Sequence, residues 1–174
     1  GFTRLGENVS PETLISVINC YLSAAADAIL IREGTIDKFL GDAVMAWFNA
    51  PIEQPDHALR AVKAAIAMRD ILPEIQCQFS PEFQLEFSIG IDTGESVLGL
   101  VGTEKRLEFT AIGDSVNTAK RLQEFAQAGQ IVISAATWNI VKDQVEVRKL
   151  EPFSAKGKTG LLSVFEGIKL KDGN

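Results

Sequence analysis

The chain has 174 residues, 46% of them hydrophobic and 23% charged, with a formal net charge of −6 and a pI near 4.9. That length suits one large domain with a substantial core, and the composition is that of an ordinary soluble globular protein. The acidic balance argues against a nucleic-acid surface, which would show a basic patch, and the apolar stretch 14–31 is broken by Ser16, Asn19, Ser23 and Asp27, so it is not read as a membrane span.

Ser10-Pro11-Glu12 is a helix start: a hydroxyl at the N-cap, Pro at the first helical position and an acid at the positive end. Leu14, Val17, Ile18, Tyr21, Leu22, Ala25 and Ile29 then recur at helical spacing, which predicts a helix over 11–32 ended by Gly34. Two apolar-rich runs, 35–39 and 43–48, hinge on Leu40-Gly41-Asp42 and predict a tight β-hairpin, with Gly supplying a positive φ. Asp56 is the expected cap of a second helix, 57–72, whose inner side carries Leu59, Val62, Ala65, Ile66 and Met68. Residues 83–87 alternate strictly and predict a strand that continues to 92, turns at 93–95 and returns over 96–101. A strand at 107–112 leads into a helix with Asp114 as N-cap and Val116, Ala119, Leu122 and Ala126 as its buried stripe. A short strand (130–134), a short helix (135–141) and two strands (145–150 and 163–169) follow, the last two joined by the Lys156-Gly157-Lys158 turn.

Helices separated by hairpins predict a single α+β domain: a ferredoxin-like βαββαβ core with helices stacked on one face and a small β/α C-terminal extension. The order requires one more strand ahead of residue 1, because the Ser10 helix needs something to pack on; that first strand is missing from the given chain. The chain opens at Gly1-Phe2-Thr3 with no initiator Met, and is read as a fragment of something longer. Cys20 and Cys77 lie in different predicted elements and are expected to be reduced, buried thiols.

Lys38 and Asp42 flank the hairpin hinge. A carboxylate on a rigid turn suits a hard cation and a lysine suits an anion or a ring nitrogen, although the stretch alone fits a solvated turn equally. Asn117 and Arg121, one helical turn apart with Glu124 nearby, project opposite the apolar stripe; they suit a sugar–phosphate or simply a solvated face. Thr110 in its β-run, Lys156 in its basic turn and His57, the only histidine, read first as structural or solvent-facing residues. The sequence holds no zinc-ligand spacing, no Ser/His/Asp set and no GxxxxGK[ST] loop.

Together GTIDKFLGDAVMAWF, SIGIDTGESVLGLVG, RLEFTAIGDSVNTAKRL and AKGK, in this order and spacing, resemble the class III adenylyl/guanylyl cyclase catalytic domain; DHALRAVKAAIAM resembles its connecting helix. The resemblance covers essentially the whole chain. It implies a bacterial-type homodimeric adenylyl cyclase that converts ATP to 3′,5′-cyclic AMP and pyrophosphate. Two divalent cations, Mg²⁺ or Mn²⁺, would serve sites shared by two head-to-tail copies. It further implies Asp42 as a metal carboxylate, Lys38 and Thr110 as the purine-selecting pair, Asn117 as the ribose-orienting residue and Arg121 as the transition-state residue. Lys156, or Lys158 if the turn is shifted, would hold the triphosphate. Gly1-Phe2-Thr3 resembles the end of the family's first metal motif, Phe-x-Asp-Ile-x-Gly-Phe-Thr, so the first metal aspartate is expected three residues before Gly1. One copy would supply the aspartates and the other the purine, ribose and phosphate contacts.

Lys38 can only donate, which suits N1 of adenine, and the Thr110 hydroxyl can accept from N6. Guanylyl members carry an acid and a small polar residue at these places, so ATP is the expected substrate. The alternatives are a guanylyl cyclase and a catalytically silent cyclase-fold module for dimerisation or regulation. The expected location is the cytoplasm, or the cytoplasmic side of a larger membrane-attached protein. Neither nucleic-acid binding nor direct membrane contact by this domain is expected.

Overall fold

The computed structural model describes residues 9–154 and 160–171. Helix α1 (Pro11–Ile31) begins as the sequence dictates, with the Ser10 hydroxyl accepting from the Thr13 N–H at 3.3 Å. By length and composition this helix is apolar enough to cross a bilayer. Its one-turn-apart stripe of Val17, Tyr21, Ala25 and Ile29 is nevertheless buried inside the protein, as in a core helix. The chain leaves α1 through Glu33, which takes the left-handed conformation with φ 59°. Gly34 has a packing role instead: a Cβ there would lie 2.7 Å from the Ile29 and Phe48 side chains.

The first hairpin pairs β1 (Thr35–Leu40) with β2 (Ala43–Trp47) across a turn at Gly41, φ 65°. The second helix, α2 (His57–Asp70), is followed by the short α3 (Leu72–Gln76). Asp56 occupies the N-cap position without capping; its carboxylate instead accepts from Arg60 Nε at 2.7 Å. His57 is half-buried at that helix start.

The expected strand over 83–87 does not form. Pro81–Phe83 is a single 3₁₀ turn, and regular pairing starts only at β3 (Ile89–Ile91). The alternation in 83–87 is real, because Phe83, Leu85 and Phe87 all pack on the Val17–Tyr21–Leu72–Ile75 cluster. Side chains rather than a neighbouring strand satisfy the Leu85 backbone, which donates to Tyr21 Oη at 2.9 Å and accepts from Gln76 Nε2 at 2.9 Å.

A second difference concerns pairing. β4 (Val97–Thr103) does not return along β3; it forms a hairpin with β5 (Arg106–Ile112) in unbroken register. β3 instead runs parallel to β6 (Ile131–Ser134), at one edge of a four-stranded sheet ordered β3-β6-β10-β7. In that sheet, β7 is Val145–Lys149 and β10 is Val164–Leu170. A small pair, β8 (Phe153–Ser154) and β9 (Leu161–Leu162), interrupts the connection between them. The Lys156-Gly157-Lys158 turn and the strand expected ahead of α1 lie outside the described residues.

Two helices flank opposite faces of this sheet, not one face as expected. Successive strand residues point to opposite sides, and β6 divides accordingly. Ile131 and Ile133 join Ala58, Val62, Ala65 and Ile66 of α2, whereas Val132 joins Leu122 of α4 (Asp114–Phe125). The short α5 (Ala135–Val141), N-capped by Ser134, contributes Val141 to the α2 side. Cys20 and Cys77 are free thiols, but Cys20 is only half-buried and Cys77 is exposed at the C-cap of α3, in contrast to the buried thiols expected.

The approach of α4 to the sheet depends on Gly90. A Cβ there would collide with the Ala119 carbonyl oxygen and the Gln123 backbone nitrogen of α4. Backbone cannot yield as a side-chain tip can, so Gly90→Ala is expected to lower stability by about 2–3 kcal/mol. Urea unfolding of the two proteins checks this, and an unchanged midpoint would show that α4 is not held at backbone contact.

Candidate active site

Strand β1 carries one irregularity. Ile36 pairs with Ala46 and Lys38 with Met45, so Asp37 is the extra residue of a β-bulge. In a regular strand Asp37 and Lys38 would point to opposite faces; a bulge breaks that alternation. Both side chains therefore reach β5, where Glu108 and Thr110, two residues apart, share a face. The Thr110 hydroxyl donates to Asp37 Oδ2 at 2.6 Å, and Lys38 Nζ donates to Glu108 Oε2 at 2.8 Å. Arg106 donates to the other Glu108 oxygen at 2.8 Å. The Asp37 carboxylate is fully enclosed, with 0% side-chain exposure, and its Oδ1 has Lys38 Nζ at 4.0 Å but no hydrogen bond. Trp47 and Phe109 brace the two hairpins edge to face, 6.3 Å between centroids.

This network keeps both ends of the ion pair charged. The hydrogen bond to Glu108 raises the Lys38 pKa above that of an ordinary lysine, against a smaller desolvation effect. The hydrogen bonds from Lys38, then from Arg106, lower the Glu108 pKa. The raised Lys38 value makes its contribution complete below the ordinary lysine range and lost as pH rises through the raised value. The lowered Glu108 value makes its contribution present above the ordinary carboxylate range and lost as pH falls through the lowered value. Neither group titrates near neutrality.

A second group of residues sits on α4. Its N-cap is Gly113 in extended backbone, φ 168°, and Asp114 is the first helical residue rather than the cap. The buried side of α4 is Thr118 and Leu122, with Val116, Ala119 and Ala126 only half-buried. Thr118 tolerates burial because its hydroxyl donates to the Asp114 carbonyl at 2.9 Å. On the open side, Asn117 and Arg121 line a cleft of about 440 Å³ with Lys120, Glu124, Phe125, Phe153 and Ser154. Phe125 and Phe153 stack at 4.2 Å, 8° apart, and give that cleft an apolar wall. Among the described residues, neither the Asn117 amide nor the Arg121 guanidinium is engaged by another side chain. A half-buried guanidinium left open in a cleft is suited to an external anion.

Asp42 stands apart from both groups. It is exposed on the hairpin turn and lines a small recess of about 70 Å³ with Ile18, Tyr21, Leu22, Leu85, Glu86 and Phe87. The turn thus sends Lys38 toward β5 and Asp42 toward α1. Asp42 and Glu86 are hard oxygen donors of the kind Mg²⁺ and Mn²⁺ take, but no group of three His, Cys, Asp or Glu side chains forms a metal cluster among the described residues.

The structure therefore unites Lys38 with Thr110, and Asn117 with Arg121, and leaves Asp42 separate. Two polar residues were not anticipated. Glu108 was signalled by its two-residue spacing from Thr110, but Asp37 was not, because only the bulge turns it to the face of Lys38.

Open cationic and amide groups without a protein nucleophile suit a phosphorylated ligand, and comparison with known proteins narrows the class. The chain belongs to the family described as the adenylate and guanylate cyclase catalytic domain, which matches residues 1–166. Adenylate cyclase 1 of Rhizobium meliloti (strain 1021) is 34% identical over 173 residues; the match covers 96% of this chain but only 26% of that relative. The structure of the adenylyl cyclase CyaB from P. aeruginosa superposes with a TM-score of 0.93 at 34% identity, covering 99% of this chain and 90% of that one. That of the guanylyl cyclase Cya2 superposes with a TM-score of 0.87, also at 34% identity, covering 99% and 89%. Overall likeness thus leaves the base undecided.

The paired charges make a direct prediction. Carboxyl ¹³C NMR should place the Glu108 midpoint below the ordinary glutamate value of about 4.3, with no titration between pH 6 and 9. Lys38→Met should move the midpoint upward, leaving only Arg106 to hold it down. A midpoint unmoved by that substitution would mean that Lys38 is not its partner in solution.

Proposed function

We propose that this chain is the catalytic domain of an adenylyl cyclase, forming 3′,5′-cyclic AMP and pyrophosphate from ATP. The observation that carries the reading is the joint presentation of Lys38 and Thr110 by the bulged β1 and by β5 of one chain. Lys38 has only donors, and adenine offers an acceptor at N1, where guanine offers a donor. Thr110 keeps lone pairs for the adenine 6-amino group.

Asn117 and Arg121 would then hold the ribose and the α-phosphate in their cleft. The ribose 3′-oxygen attacks the α-phosphorus in line, its proton leaves to solvent, and the bond to the β-phosphate oxygen breaks to release pyrophosphate. Such a reaction depends on positioning and charge stabilisation rather than on a protein nucleophile. Arg121 would meet charge that grows only in the transition state. Asp42 would hold a divalent cation; when bound, such ions acidify the 3′-hydroxyl and neutralise the phosphates. Lys156 is assigned to the triphosphate on the family resemblance alone.

The separation of Asp42 from the Asn117–Arg121 cleft supports a site built from two copies, in which the carboxylate of one chain serves the nucleotide held by the other. The β4–β5 hairpin supports the same reading. Val97, Leu100, Leu107, Phe109 and Ile112 are all exposed on it, an apolar surface suited to a second copy. ATP as substrate and two free thiols favour a cytoplasmic location.

Arg121→Ala is expected to lower kcat by about 10²-fold or more with a smaller change in KM. Loss of affinity alone would contradict the transition-state role. Mixing Asp42→Ala with Arg121→Ala chains should restore activity that neither variant has, since one of the two interfaces is then intact. No recovery in mixed dimers shown to form would defeat the shared site. Preference for GTP in the unaltered full-length protein would favour the guanylyl reading.

A further inference from the structure

The purine reader is itself held by a residue to which the family resemblance assigns no role. Asp37 is the bulged residue of β1, its carboxylate is fully enclosed, and it takes the Thr110 hydroxyl proton at 2.6 Å. In this pair the hydroxyl donates and the carboxylate oxygen accepts. A threonine hydroxyl has one proton and two lone pairs. With the proton committed inward, only lone pairs remain for a ligand. Thr110 is half-buried, so its outward side stays reachable.

We propose that Asp37 is a positioning residue for base choice: it fixes the Thr110 hydroxyl as an acceptor, so that a 6-amino purine is taken and a 6-oxo purine is rejected. The 6-amino group donates to the oriented lone pair. A 6-oxo group would set lone pair against lone pair in a partly desolvated site, with no rotation of the hydroxyl open to relieve it. This answers how threonine, able in principle to donate or accept, acquires the one-way character that an aspartate would have outright. Asp37 Oδ1 also lies 4.0 Å from Lys38 Nζ, without a hydrogen bond. The bulge is what makes this arrangement possible. A regular β1 would send Asp37 and Lys38 to opposite faces, and Thr110 would keep its rotational freedom.

The inference rests on the reading that Lys38 and Thr110 face the base, and the experiment separates the two. The full-length protein is assayed for kcat/KM with ATP, inosine triphosphate and purine riboside triphosphate, which lacks any 6-substituent. The wild type should favour ATP over inosine triphosphate by on the order of 10²-fold or more, and over purine riboside triphosphate by about tenfold. Asp37→Asn and Asp37→Ala should lower the preference for ATP over inosine triphosphate by about tenfold or more, because the hydroxyl is then free to donate. Lys38 still opposes the N1–H of inosine, so some preference should remain. In a Thr110→Val background, replacing Asp37 should move the ratio no further.

Equal loss with both nucleotides, leaving their ratio unchanged, would make Asp37 a merely structural residue and overturn the proposal. So would a wild type that uses purine riboside triphosphate as well as ATP, a result that does not depend on any variant folding. Failure of the wild type to turn over any of the three would defeat the cyclase reading and this inference with it.

Discussion

The one-residue bulge at Asp37 is the constraint on which the polar face between the two hairpins depends. A strand can place two neighbouring polar side chains against one partner strand only by giving up its alternation. β1 does so at that position, between Ile36 and Lys38. The consequence is a row of four polar groups, Asp37, Lys38, Glu108 and Thr110, joined as two hydrogen-bonded pairs across two separate hairpins. Local backbone geometry here sets hydrogen-bond polarity, and hydrogen-bond polarity is what distinguishes one purine from another.

The α4 cleft rests on a different constraint, the closeness of α4 to the sheet. Gly90 allows backbone-to-backbone contact with Ala119 and Gln123, and Leu122 anchors the same helix against Val132 and Val164. With its inner face fixed in this way, α4 has one orientation left for Asn117 and Arg121, toward the cleft walled by Phe125 and Phe153. The third element, Asp42, is aimed elsewhere by the Gly41 turn. A single chain thus points these three groups in different directions, an arrangement that the proposed head-to-tail pair of copies would bring together.

Much of this was readable from the residues. Ser10-Pro11-Glu12, the apolar-rich hairpin around Gly41 and the Asn117–Arg121 spacing each encode their structure locally, and each appears as expected. What failed to show in the sequence was pairing. Residues 83–87 have a strand's pattern, yet the Tyr21 hydroxyl and the Gln76 amide bind the Leu85 backbone instead of a ladder. The partner of β3 is β6, a long-range parallel pairing that periodicity does not encode. Asp114 looks like a cap, but Gly113, wedged against Glu95 and Ser96, occupies that position. Asp37 stayed hidden for the same reason: its role arises from a bulge, and nothing in Ile36-Asp37-Lys38 announces one.

The claim that joins these parts is that one chain reads the base while the other supplies the carboxylate. A crystal structure of the full-length protein with a non-cyclisable ATP analogue and Mn²⁺, the metal located by its anomalous scattering, tests it most directly. The account predicts adenine N1 on Lys38 and the 6-amino group on Thr110 of one copy, with Mn²⁺ on the Asp42 carboxylate of the other. Mn²⁺ held by Asp42 of the same chain that binds the base, or a base bound away from Lys38 and Thr110, would contradict it.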